Sequence, residues 1–177
     1  KLAISHSYTT PPKAPVDLFA KIGAEGLAEV KKQDMLAAAY VFLAQGTPFI
    51  NGGQEFLRTK QGDENSYNKP DAINAIDLGF KTTYSDVYNT YKGLIALRKK
   101  NHDAFGANTF ATAEKIENGL TKYATKDFVV YFNATSDAKN IDTAGYTKLI
   151  DVSTGSVTES SAVPATVAAK SFVILKK

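Results

Sequence analysis

The chain has 177 residues, of which 44% are hydrophobic and 22% charged, and 21 basic against 18 acidic side chains give a formal net charge of +3. This is the composition of one globular domain, or a small domain plus a piece of another, and it excludes a disordered chain. The charge is too small and too evenly spread to point to nucleic acid, and the absence of cysteine excludes disulfides, thiolate zinc sites and cysteine nucleophiles.

Lys1 is not an initiator methionine and no signal-peptide pattern follows it, so the chain is expected to be a piece of something longer. Residues 1–26 read as loop, because Pro11, Pro12 and Pro15 disfavour regular structure. Ala14 to Ile22 can form a short helix, ended by Gly23 and Gly26. From Leu27 the chain reads helical. Met35 to Ala44 is an unbroken apolar run of ten residues, too short to span a bilayer. A helix apolar on every side is expected to be buried against several neighbours. Gly46 fits the position just past a helix end, and Pro48 blocks continuation. Thr47 to Asn51 then reads as a strand covered on both faces, as in parallel sheets.

Residues 52–82 read as a long polar loop just beyond that strand, where α/β folds bind ligands. Tyr84 to Lys100 reads as a second helix. Val87, Tyr88, Tyr91, Leu94, Ile95 and Leu97 form its apolar stripe, Ser85 suits the N-cap, and Arg98-Lys99-Lys100 suits the C-terminal dipole. His102, at the junction that follows, reads as a packing or capping residue.

After Asn101 the texture becomes β-rich. Phe128 to Phe132, Thr147 to Val152, Thr166 to Ala168 and Ser171 to Leu175 read as strands of an antiparallel sandwich. Thr112 to Asn118 reads as a short helix followed by Gly119. A domain boundary is expected near residue 103.

Most catalytic signatures are missing. There is no phosphate-binding glycine loop, no His-Glu-x-x-His and no Gly-x-Ser-x-Gly. The two histidines, His6 and His102, stand far apart. The informative stretch runs from Gly46 to Asp77. Arg58, Asn65, Tyr67, Asn68, Asp71 and Asn74 offer donors, acceptors and an aromatic face. A sugar needs that mixture, since it has hydroxyls to pair and ring faces to cover. A loop satisfying its own backbone has a similar composition.

Gly46, Pro48-Phe49, Gly53-Gln54-Glu55-Phe56 and Arg58-Thr59-Lys60, followed by Asn65-Ser66-Tyr67-Asn68, Pro70-Asp71, Asn74 and Ile76-Asp77, resemble type I pullulanases of the α-amylase superfamily. The likeness extends through Leu97-Arg98-Lys99 and the later strands. It departs at Leu78, where the family usually has tryptophan. The resemblance implies an α/β plus all-β fold. Residues 1–102 would be the terminal βα segment of a (β/α)8 barrel, with its last strand, substrate loop and last helix. Residues 103–177 would be a C-terminal antiparallel β-sandwich domain.

It also implies retaining hydrolysis of α-1,6-glucosidic links by two carboxylates about 5 Å apart. The family uses an Asp nucleophile, a Glu acid/base and a second Asp in a His-Asp-Asn motif. None of the three is expected in this chain, because Lys1 to Ser5 resembles the residues shortly after that motif. The chain alone is therefore expected to be inactive and to hold no catalytic residue. Its part would be barrel closure and substrate contact. Asp71 and Asn74 are the leading sugar contacts. Arg58 would brace the loop by forking to a carboxylate such as Asp71. Tyr67 would cover a glucose ring or pack inward, and Asn65 and Asn68 supply further polar groups. Glu55 would fix the loop base, and Asp63-Glu64 would form a solvated tip.

The implied partners are an α-glucan (pullulan, starch or glycogen) and the missing upstream barrel, with no nucleic acid and no membrane. No cofactor and no metal are inferred; the family often binds calcium, but this segment has no dense carboxylate cluster. Residues 27–60 are not expected to hold the family fold alone, because a lone barrel strand leaves its backbone unpaired. They would need the barrel, a partner chain or a swapped dimer. Residues 103–177 are numerous enough to fold independently. Two alternatives remain: an isoamylase-like or glycogen-debranching relative, and a non-catalytic sugar-binding or structural β-module. The second ranks last because the chain has no tryptophan. Asn133-Ala134-Thr135 matches a glycosylation pattern and reads as a chance match. The lack of cysteine and the Thr/Ser/Asn-rich β-region lean toward an extracellular or cell-surface bacterial setting.

Overall fold

The computed structural model describes residues 18–63, 65–106 and 111–177. The expectations for Lys1 to Ser5, His6, Pro11, Pro12, Pro15 and Glu64 lie outside those residues.

Helix α1 spans Leu18–Leu43 and is interrupted at Gly23, whose φ of 68° and ψ of −176° are not helical. Gly23 thus ends a first helical stretch as expected. Gly26 does not, and lies inside the second stretch. The apolar run is not buried all round: Leu36, Ala38, Ala39, Phe42 and Leu43 are buried, whereas Ala37 and Tyr40 are exposed. Gly46 turns the chain away with a φ of 96°.

Thr47 to Asn51 forms no strand, and Phe49 is 89% exposed. This corrects the expected buried strand. An apolar run of five becomes a covered strand only where neighbouring strands take up its N–H and C=O groups. Every strand pair among the described residues lies elsewhere.

Helix α2 spans Asp71–Asn74, α3 spans Phe80–Thr83 and α4 spans Ser85–Lys100. The expected long loop therefore carries short helices, and a 3-10 turn besides at Gln54–Phe56. Ser85 is not the N-cap. Tyr84 occupies that position without a side-chain cap, because its N–H still closes the turn of α3 onto the Phe80 carbonyl and the two helices run on with no other residue between them to cap the second. The stripe is as expected, with Val87, Tyr91, Leu94 and Leu97 buried. A short α5, His102–Phe105, follows. His102 is solvent-exposed, which corrects its reading as a packing residue.

The rest is β-structure: β1 Thr112–Glu117, β2 Leu120–Ala124, β3 Phe128–Asn133, β4 Lys139–Asn140, β5 Lys148–Asp151, β6 Thr158–Ser160, β7 Thr166–Val167 and β8 Ser171–Lys176. Six of them form one antiparallel sheet in the order β1-β2-β3-β8-β5-β6, and β4 pairs with β7. The helix expected at Thr112 to Asn118 is strand β1. Glu117 pairs with Leu120 across the two-residue loop Asn118-Gly119, and Gly119 takes a φ of 84°. Asn-Gly between two strand-like runs is a hairpin signal, and cross-strand pairing outweighs the helical propensity of Glu114, Lys115 and Glu117.

Strand β3 is buried on both faces. Its period of two divides the molecule into layers. Phe128, Val130 and Phe132 join Ile150, Ile174 and the buried residues of α1 and α4 in one core. Val129 and Tyr131 face the other way, with Leu120, Val167 and Leu175. The helices thus cover one face of the large sheet, and the small sheet closes the other. Tyr40 of α1 stacks on Phe132, with ring centroids 3.9 Å apart. Asn133 is fully buried, and its Nδ2 donates to the carbonyls of Asp137 and Ala168 at 2.7 and 2.9 Å. That nitrogen serves the fold and is closed to a glycan.

Candidate functional site

The loop that carries the sequence motif begins with a tight turn. Gly53, at a φ of 90°, is packed so that a Cβ would lie 2.7 Å from the Arg58 side chain. Its carbonyl accepts the N–H groups of Phe56 and Arg58 at 3.2 and 2.9 Å. Glu55 Oε2 accepts the Gly53 N–H at 2.9 Å, so this carboxylate holds the loop base, as expected. Phe56 is buried beneath the turn.

Beyond the turn the chain folds around Asn74. Lys60 Nζ donates to its Oδ1 at 2.6 Å. Its Nδ2 donates to the carbonyls of Ser66 and Lys69 at 2.6 and 2.7 Å. Arg58 donates to its backbone carbonyl and, at 3.3 Å, to that of Gly52. Lys60, Ser66 and Lys69 therefore meet at one amide side chain, and Arg58 joins them at the Asn74 backbone. Arg58 braces the loop through backbone carbonyls and not through a fork to Asp71. The reason is local: carbonyls stripped of helix or sheet partners need a donor, and a guanidinium has several.

The tip is set by Asp63. Its Oδ1 accepts the Asn65 N–H at 2.9 Å, and Lys69 Nζ stands 3.7 Å from its carboxylate. Asp63 is thus part of the frame and not solvated surface. Ile73 of α2 is buried and pins the returning chain.

This divides the six expected site residues. Asn74 and Arg58 are drawn into the frame. Asn65, Tyr67, Asn68 and Asp71 are exposed on it, Tyr67 at 83%. Ile76 and Leu78 are exposed apolar neighbours in sequence. Such a surface can offer an aromatic face, two amides and a carboxylate to a polyhydroxylated ligand.

A second polar group lies under the loop. Gln54 Nε2 donates to Tyr91 Oη at 3.1 Å. Asp34 on α1 has a buried carboxylate oxygen, Oδ2, without a hydrogen-bond partner among the described residues. Burial pushes the Asp34 carboxyl up to about 6, against a smaller downward pull from Tyr91. Burial also pushes the Tyr91 hydroxyl up. Sequence reasoning missed Lys60, Gln54 and Asp34 and counted Tyr91 only as part of an apolar stripe. The available signal was Tyr91 itself, since a buried tyrosine must find a partner for its hydroxyl.

No protein-family model matches the chain. The pullulanase of Bacillus subtilis is 45% identical over 91 residues, 51% of this chain and 12% of that protein. The isoamylase of Pseudomonas amyloderamosa is 30% identical over 118 residues, 65% of this chain and 15% of that protein. Among solved structures, the type I pullulanase of Bacillus subtilis complexed with maltose is similar with a TM-score of 0.66 at 32% identity, covering 84% of this chain and 24% of that one. The chain thus spans a quarter or less of these relatives' own length.

Proposed function

We propose, from the premise that this chain resembles the C-terminal part of a type I pullulanase, that it belongs to a debranching enzyme hydrolysing α-1,6-glucosidic links in pullulan, starch or glycogen. Residues 1–102 would complete a (β/α)8 barrel and residues 103–177 would be the C-terminal β-domain. The catalytic Asp, Glu and Asp would lie upstream, and the 177 residues alone would be inactive.

The carrying observation is the split within the loop. Asn74, Arg58 and Lys60 hold it rigid, and Asn65, Tyr67, Asn68 and Asp71 remain exposed on that frame. A rigid polar frame with an exposed aromatic face loses little entropy on binding a glucan. The exposed Phe49, in a stretch that forms no strand here, supports barrel closure, because its ring would be covered by flanking strands.

The test is product analysis on pullulan, with this chain joined to its upstream barrel. Maltotriose should be released, and the chain alone should release none. Tyr67→Ala with Asp71→Ala should raise KM about tenfold, roughly one lost stacking contact and one lost charged hydrogen bond. Hydrolysis by the chain alone, or an unchanged KM, would overturn the reading. An isoamylase-like specificity is favoured by the longer match to isoamylase, over 118 residues. It predicts debranching of glycogen with pullulan left intact.

A further inference from the structure

Away from the candidate loop, a cavity of about 530 Å³ opens between the helices and the large sheet. Met35 and Leu36 of α1 and Thr90 of α4 line its helical side. Ile150 of β5 and Phe172 and Ile174 of β8 line its sheet side. Its volume lies in the range of small-molecule sites, about 300–1,000 Å³.

The interior offers little to a hydroxyl. The sheet backbone is already paired, β8 with β3 and β5, and β5 with β8 and β6. Thr90 is buried, and its one hydroxyl proton goes to the Asp86 carbonyl at 2.9 Å, with Met35 Sδ 3.3 Å away. A sugar placed here would lose water without gaining partners, whereas an aliphatic chain loses nothing. Met35, the single methionine of the chain, is flexible enough to fit itself to such a chain. The mouth, by contrast, is charged. Asp151 Oδ1 accepts the Ser153 N–H at 2.8 Å, and Lys170 Nζ donates to the Ala134 carbonyl at 2.8 Å. Lys32 also borders the cavity, is exposed, and its ammonium has no partner among the described residues. Two cations against one anion favour a negative ligand. We infer that this cavity binds a single-chain aliphatic carboxylate, with its tail along Met35, Ile150, Phe172 and Ile174 and its head at the Lys32 ammonium.

The site is separate from the polar loop and does not depend on the debranching reading. Because Met35 is the sole methionine, its 13C-labelled methyl group gives one NMR signal that reports from the cavity wall in the full 177-residue chain. The probes are octanoate, decanoate, decanol and maltotriose. Decanol keeps the tail of decanoate and lacks its charge. Lys32→Glu reverses the charge at the mouth at an exposed position of α1, so the cavity itself is left intact.

Decanoate should move the Met35 signal saturably, and its Kd should be about fifteenfold lower than that of octanoate, since each buried methylene tightens binding about fourfold. Lys32→Glu should weaken decanoate about tenfold, one exposed attraction lost and one repulsion added, and leave decanol within about twofold. Maltotriose should leave the signal in place. A Met35 signal that does not move, or that drifts without saturating, would overturn the proposal. So would equal binding of octanoate and decanoate, a Lys32→Glu effect that is absent or equal for decanoate and decanol, or a shift with maltotriose as large as that with decanoate.

Discussion

Gly93 of α4 lies against Val152 so closely that a Cβ at that position would be 2.1 Å from the Val152 carbonyl oxygen. The helix therefore rests on backbone at the end of β5, and the approach sets how far the helical layer stands from the sheet. Gly93→Ala must push the two apart or distort the segment after Asp151. It should destabilise the chain by about 1–3 kcal/mol, the usual range for overpacking. Urea unfolding should show a lower midpoint with an unchanged slope.

Arg98 ends the other helix. Its Nη1 donates to the Phe42 and Ala44 carbonyls at 2.7 and 2.8 Å, and its Nη2 donates to that of Gly46. The basic residue expected to serve its own helix terminus instead caps α1. A lysine has the charge but not the planar fork. Arg98→Ala should cost about 2 kcal/mol, on the scale of charged hydrogen bonds. Arg98→Lys should recover less than half of it, measured by thermal unfolding against the native chain.

Asp34 makes stability depend on pH. Its carboxyl is raised from 3.8 to about 6 in the folded chain, chiefly by burial. A raised carboxyl favours folding when protonated. The contribution is complete below about pH 4 and is lost as pH rises through about 6. At pH 8 the ionised group opposes folding by about 3 kcal/mol. Asp34→Asn should therefore stabilise the chain at pH 8 and change little at pH 3.5. Equal stabilisation at both values would show that charge is not the cause.

Phe49 distinguishes the isolated chain from a barrel. At 89% exposure it has little burial to lose. Phe49→Ser should shift the stability of the 177-residue chain by less than about 0.5 kcal/mol, as for ordinary surface substitutions. Joined to an upstream barrel, the same change should cost about 3 kcal/mol or more, as removal of a core phenylalanine does. A small effect in both settings would count against barrel closure by Thr47 to Asn51.

Where period and partner lie within this chain, sequence and structure agree. Phe128 to Phe132 reads as a strand because its β-forming residues run between turn signals, and it is one, its two faces covered by different parts of the described chain. The stripe from Val87 to Leu97 reads as a helix face because its spacing repeats that of the helix. The polar loop after residue 52 was legible in the same way, as residue types grouped at short range.

By itself, then, the sequence determined the stripe of the second helix, the central strand and the chemistry present in the loop. Tertiary structure alone decided that Thr112 to Glu117 pairs as a strand, that Thr47 to Asn51 stays unpaired, and that Asn74 braces the loop while Tyr67 stands exposed. Propensity and periodicity act between residues a few positions apart. Ladder partners and the donors that buried carbonyls need are supplied by residues distant in sequence, and only the packed chain brings them together.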